Sequence, residues 1–144
     1  MRILITGSRD WDNAKSINYR IMEAIEAFIN DHPGLSKSEP LTWVTIVHGG
    51  CLTGADKIAD IFSRKILGKD AEIYEADWKT FGKSAGFKRN YRMVNSDPDM
   101  CLAFIRNRSN GSTDCRNQAK RKGIATETFL YENEIEIFPL PTSG

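Results

Sequence analysis

Val44-Thr-Ile-Val-His-Gly-Gly-Cys-Leu-Thr-Gly-Ala-Asp56 holds a strand, a glycine-rich bend and the start of a helix. The run Val44–Val47 is β-branched throughout and apolar but for Thr45, the character of a strand buried on both faces, and such strands belong to parallel sheets. His48-Gly49-Gly50 ends it, and Ala55, Ile58, Ala59, Phe62 and Ile66 then recur at helical spacing. Gly49, Gly50 and Gly54 leave backbone N–H groups open at the positive end of the helix dipole, a ready site for phosphate. Neither the Walker A pattern nor G-x-G-x-x-G is present, which disfavours nucleotide hydrolysis of the P-loop kind.

The same unit recurs on either side. Upstream, Arg2–Thr6 is a short aliphatic strand stopped by Gly7-Ser8, and Ile17, Ile21, Ala24, Ile25 and Phe28 mark one face of a helix over about 14–30. Asp31–Thr42, rich in Pro, Gly and Ser, is a surface connection. Downstream come a strand at Ala71–Glu75, a loop from Asp77-Trp78 to Lys83 and a helix over about 85–95. Met100–Ile105 is a fourth strand, Arg106–Gly111 a polar loop, 113–122 a helix and Ala125–Leu130 a fifth strand. Residues 131–144 read as an edge strand or extended tail of the same domain. Regular alternation predicts a Rossmann-like three-layer α/β/α sandwich with a mostly parallel sheet of about five to six strands, its domain spanning residues 1–130. Ligands then sit beyond the carboxyl ends of the strands.

Composition narrows the chemistry. A chain of 144 residues with 40% hydrophobic content has the size of one domain with its own core. Its net charge of +1 carries no global nucleic-acid signature, but the balance is local: residues 1–77 carry −3, 78–122 carry +8 and 123–144 carry −4. An anion is most welcome near the middle-to-late segment. Cys51, Cys101 and Cys115 have no C-x-x-C spacing, and His32 and His48 join no cluster of ligand spacing, so neither a metal nor another cofactor is expected. With no long apolar run, the expected setting is cytoplasmic and away from membranes.

Candidate binding residues lie at the strand ends. Gly7 lets the backbone approach a ligand closely, Ser8 adds a hydroxyl and Arg9 a planar fork for phosphate. Trp11 suits either stacking on a base or packing. His48 is placed to touch ligand or to orient its loop. Thr53 and Asp56 fit a capping-box-like helix start as well as ligand binding. Arg89 lies near one face of its helix with Arg92, while Asn90 points elsewhere. Gly86, inside that helix pattern, implies a close approach by another group. Ser112 or Thr113 caps the next helix and turns a second N-terminus toward the same crevice.

Taken in order, Gly7-Ser8-Arg9, His48-Gly49-Gly50-x-x-x-Gly54-Ala55-Asp56, Asp77-Trp78, Ala85-Gly86-x-x-Arg89-Asn90-x-x-Met93 and Ala103-Phe104 resemble the small YspA/YpsA-related branch of the SLOG superfamily, over about residues 1–130. The resemblance implies a Rossmann-like fold that binds a nucleotide or nucleotide-derived ligand, with roles in sensing or sequestering such molecules in bacterial and phage conflict systems. It carries the first-strand, second-strand and Arg89-Asn90 positions as pocket residues. The superfamily is also similar to LOG phosphoribohydrolases and to DprA proteins, which bind single-stranded DNA. Where LOG enzymes have Pro-Gly-Gly-x-Gly-Thr-x-x-Glu, this chain has Ser109-Asn-Gly-Ser-Thr-Asp-Cys-Arg-Asn117, with no glutamate at the corresponding turn.

Three readings follow. The leading one is a binding module for a phosphorylated, ADP-ribose-type small molecule: amides near Gly49, Gly50 and Gly54 hold phosphate, Ser8, Arg9 and Arg89 assist, and Asp56 or Asn90 reads ribose hydroxyls. The second is N-glycosidic hydrolysis of a nucleotide, with Asp56 or Asp77 stabilising a ribosyl cation. The third, single-stranded nucleic-acid binding through the +8 segment, is the less expected partnership, because Phe87 and Tyr91 fit core burial as well as stacking. A homodimer is compatible with all three.

Overall fold

The computed structural model describes residues 1–35, 40–107 and 109–131. Its elements are β1 (Arg2–Gly7), α1 (Ala14–Asn30), β2 (Thr45–His48), α2 (Gly54–Phe62), β3 (Glu72–Ile73), α3 (Trp78–Phe81), α4 (Ala85–Val94), β4 (Met100–Ile105), α5 (Asn110–Arg121) and β5 (Ala125–Leu130). A π turn, Ser63–Leu67, prolongs α2, and a 3-10 turn, Gly82–Ser84, links α3 to α4. The five strands pair in parallel in the order β3-β2-β1-β4-β5. This is the Rossmann-like α/β fold that the alternation predicts.

Strand alternation makes the three layers. Successive side chains of β1 point to opposite faces, so Ile3 and Ile5 join Ile17, Ile21 and Ile25 of α1 and Ala59 and Phe62 of α2 in one core. Leu4 faces the other way, with Val47, Cys101, Met93 and Val94 of α4 and Cys115 and Ala119 of α5. The chain runs outward from β1 to β3 and then returns past β1 to lay down β4 and β5. Connections diverge between β1 and β4, and the crevice beyond their carboxyl ends is where an open parallel sheet binds ligands.

Arg2 anchors the opposite end, forming an ion pair with Glu72 of β3 through one guanidinium nitrogen while the other reaches Glu72 Oε1 at 3.0 Å and Ser96 Oγ at 2.8 Å. The Arg2 hydrogen bond holds the Glu72 carboxyl below the usual carboxylate range.

Three boundaries differ from the sequence reading. β3 has two residues instead of the expected Ala71–Glu75. The expected loop 77–83 contains α3, started by Asp77, whose carboxylate accepts the Thr80 N–H at 3.1 Å. Capping chemistry built that turn without an apolar stripe, and α3 buries none of its residues. α5 begins at Asn110, earlier than 113, because Ser109 is its N-cap instead of Ser112 or Thr113. The expected edge strand or tail at 131–144 lies, apart from Tyr131, outside the described residues, as do 36–39 of the long connection. Among the described residues no helix is long and apolar enough to cross a membrane.

Candidate functional site

A cleft of about 410 Å³ opens beyond the carboxyl ends of β1, β2 and β4. Thr6, Ser8, Asp56, Asn90 and Ser112 line it, and these are five of the eight buried polar side chains among the described residues. Burying polar groups costs free energy unless they are partnered. Their convergence beneath one concavity is the arrangement of a binding site, not of a core.

At the β1 end, Gly7 is required by packing: a Cβ there would stand 2.4 Å from that of Ala55. The Ser8 hydroxyl accepts the Arg106 N–H at 2.7 Å and donates to the Arg106 carbonyl at 2.9 Å, stitching β1 to the loop after β4 at the switch point. Arg106 also donates to the Asp10 carbonyl at 3.0 Å, and Asn107, in the left-handed region at φ 53°, donates to Asp10 Oδ2 at 2.6 Å. Asparagine tolerates that backbone better than most residues. Arg9 and Lys83 line the cleft, exposed. Trp11, by contrast, is buried edge-on against Phe104 and Tyr131 at 5.3 and 4.9 Å, away from the cleft.

Part of the glycine loop's N–H set is taken up within the protein. The Gly50 N–H donates to His48 Nδ1 at 3.0 Å, the Cys51 N–H to Asp56 Oδ2 at 3.2 Å, and the Ala55 N–H to the Ser8 carbonyl at 3.2 Å. The Gly50 amide, one of the three glycine amides the sequence offers to an anion, and its neighbours at Cys51 and Ala55 are therefore engaged. His48 is buried outside the cleft; with Nδ1 accepting, Nε2 carries the proton and donates it to Asp60 Oδ1 at 2.8 Å. The Thr53 hydroxyl makes no capping bond, so the expected capping box does not form. Gly54 has φ +73°, and a Cβ there would lie 2.2 Å from the Ser8 carbonyl oxygen. Gly50 and Thr53 line an adjoining depression of about 450 Å³ that shares Arg9, Gly49, Cys51, Trp78 and Arg89 with the cleft.

The opposite wall belongs to α3, α4 and α5. Arg89 donates to the Gly49 carbonyl and, through Nε, to Asn90 Oδ1 at 3.0 Å. Asn90 does not point away from Arg89 as helical spacing suggests. It is buried in the same wall, and its amide donates to the Gly111 carbonyl at 3.0 Å and to Asp114 at 3.1 Å. With both N–H groups used this way, it is a clamp between α4 and α5 and has no donor left for a ribose hydroxyl. Gly86 admits the Trp78 ring, which would stand 3.3 Å from a Cβ at that position. Ser109, Gly111 and Ser112 turn the N-terminal end of α5 to the cleft, whereas Thr113 lies outside its lining.

Electrostatics distinguish the acids. Burial pushes the Asp56 carboxyl up, against lowering by its hydrogen bonds from Cys51 and by the Arg89 charge. Asp77 is fully exposed, caps α3 and does not line the cleft; its hydrogen bonds to Thr80 hold its carboxyl below the usual range. Burial, and then the charge of Asp56, raise the Cys51 thiol, which disfavours a reactive thiolate. Among the described residues no group of three or more His, Cys, Asp or Glu side chains has the arrangement of a metal site.

Sequence reasoning left out Lys83, Arg106, Asn107, Ser109 and Gly111 as pocket residues, and weighed Trp78 only as part of a family motif. Their signals were present: Arg106–Gly111 follows the strand next to β1, and Ser109 precedes a helix as a capping residue does.

Comparison with known proteins agrees with the architecture. Residues 1–81 match the YspA, cpYpsA-related SLOG family. The chain is 35% identical over 133 residues to the Gene 61 protein of Mycobacterium phage D29, covering 89% of this chain and 95% of that one. No solved structure matches. With more than half its length matched, and a relative aligned nearly end to end, this chain belongs to the YspA, cpYpsA-related SLOG family.

Proposed function

We propose that the protein binds, and so senses or sequesters, a phosphorylated nucleotide-derived small molecule of the ADP-ribose type in the cleft beyond β1, β2 and β4. The observation that carries this reading is the gathering of buried polar side chains under a rim supplied with Arg9, Lys83 and Arg89. Phosphate is held by Arg9 and Lys83 with the N-terminal end of α5, where the dipole favours an anion. The half-exposed Trp78 ring, seated on Gly86, offers a face to a planar base. Asp56, on the cleft floor, pairs with ribose hydroxyls. The adjoining depression gives room for a second phosphate or sugar.

Calorimetry with ADP-ribose, its cyclic isomers, NAD and nucleoside monophosphates tests this. Saturable binding by at least one, weakened by Arg9→Ala and Trp78→Ala, is expected. No binding by any of them to folded protein refutes it.

A hydrolytic reading has one observation in its favour. Asp56 is a buried carboxyl in the cleft, where a ribosyl cation would need stabilisation, whereas Asp77 lies outside. Chromatography of nucleotide incubated with the protein decides it: base release abolished by Asp56→Asn supports cleavage, and its absence leaves binding alone.

A further inference from the structure

Phe81, Phe87 and Tyr91 are 46%, 46% and 62% exposed, although helical spacing would place Phe87 and Tyr91 equally well in a core. Phe87 and Tyr91 stand one turn apart on α4, and Lys88 and Arg92 stand one turn apart beside them. Lys88 Nζ sits 5.0 Å from the Phe81 ring centre. Together these five side chains line a groove of about 520 Å³ on the outer face of α3 and α4. At Tyr91 and Gln118 it continues into a second groove, of about 320 Å³, where Arg121 and Lys122 of the α5 end take over. No carboxylate is among the described residues lining either groove. Large aromatic side chains left contiguous in water mark an interaction surface.

We propose that this face binds single-stranded nucleic acid, with bases stacked on Phe81, Phe87 and Tyr91 and phosphates met by Lys88, Arg92 and Arg121, while Lys122 at the groove's end is paired with Asp97. The two halves of the argument are independent. Unstacked bases are the chemistry that covers neighbouring aromatic faces without sequence-specific hydrogen bonds, and a cationic groove without acids follows a phosphodiester backbone. A duplex keeps its base faces closed. A second copy of this chain, docked by a two-fold axis, would bring the Lys88 and Arg92 sides of two such grooves together, and the groove they line has no carboxylate to offset them. The face adjoins the cleft at Phe87, which lines both, whereas Phe81, Lys88 and Tyr91 do not line the cleft.

The test is fluorescence anisotropy of the full chain with a labelled oligo(dT) strand and with a duplex of equal length. Expected are preference for the single strand and affinity falling roughly tenfold or more between about 50 and 200 mM salt. Phe81→Ala with Tyr91→Ala should cost about tenfold or more, and Lys88→Glu should weaken binding and flatten the salt dependence. Calorimetric binding of ADP-ribose should be unchanged in both variants. Circular dichroism checks that these surface variants fold. Equal affinity for duplex removes the stacking argument and overturns the proposal. So does absent oligonucleotide binding, whether phosphatidylserine-containing vesicles bind instead or sedimentation shows a dimer that Tyr91→Ala dissociates.

Discussion

Gly49 and Gly54 lie five residues apart in one loop, yet alanine at the two positions should have opposite consequences. A Cβ on Gly54 would meet the Ser8 carbonyl oxygen at 2.2 Å and two Arg9 backbone atoms at 2.6 Å, and φ is +73°. The left-handed backbone costs roughly 1–2 kcal/mol for a residue with a Cβ, and displacing the loop after β1 adds about 1–3 kcal/mol. A loss near 3 kcal/mol is a large part of the roughly 5–15 kcal/mol that holds a domain together. It should lower Tm by about 10 °C in a chain of this size. A Cβ on Gly49 would instead meet the Arg89 guanidinium, with Nη1 at 2.4 Å, and its three nearest neighbours would all belong to that side chain. Arg89 can swing away, losing its bond to the Gly49 carbonyl, so Tm should move by less than about 3 °C, the equivalent of roughly 1 kcal/mol. The displaced guanidinium would leave the cleft wall, and affinity for ADP-ribose should fall about tenfold, the value of one modest charge-assisted contact. Thermal unfolding and calorimetry on Gly49→Ala and Gly54→Ala read both quantities. A Gly54→Ala protein melting with the wild type, or a Gly49→Ala protein that unfolds early, would refute the assignment of packing to one glycine and site geometry to the other.

Asn90→Ala removes the clamp between α4 and the start of α5 and leaves the Gly111 carbonyl and Arg89 Nε without their partner, so urea unfolding should show a loss of about 2–4 kcal/mol. Asp56 has a folded pKa raised above its unfolded value, so its contribution is fully present below the unfolded pKa and lost as pH rises through the folded one. Asp56→Asn should therefore flatten the decline in Tm from acid toward neutral pH; an unchanged profile would contradict the burial argument. Glu72 runs the other way: its depressed pKa gives stability above the ordinary carboxylate range that is lost as pH falls through the folded pKa. Glu72→Gln should cost up to about 1 kcal/mol at neutral pH and little in acid, as thermal melts at the two pH values would show.

Much of the architecture was legible because it depends on local pattern. The apolar runs at Ile3–Ile5, Val44–Val47 and Met100–Ile105, each followed by a break and a helical stripe, specify strands buried on both faces and so a parallel sheet with helices around it. α3 escaped because it has no buried face to leave a periodic trace; an aspartate cap alone announced it. The start of α5 was misplaced because three hydroxyl residues compete as caps over Ser109–Thr113, and only the path of the chain from β4 chooses among them.

The sequence by itself determined which residues stand at strand ends, since a glycine or hydroxyl after an apolar run marks a turn wherever the rest of the chain goes. Which of those groups remain open to a ligand was a tertiary decision. His48 and Asp56, from the loop's own flanks, and Ser8, brought to it from the end of β1, accept the Gly50, Cys51 and Ala55 N–H groups, because a buried N–H takes an available acceptor. The same long-range meeting turned Asn90 from a presumed ligand contact into a clamp. It brought Lys83, Arg106 and Ser109, unremarkable along the chain, to one cleft at the point where the sheet's connections diverge.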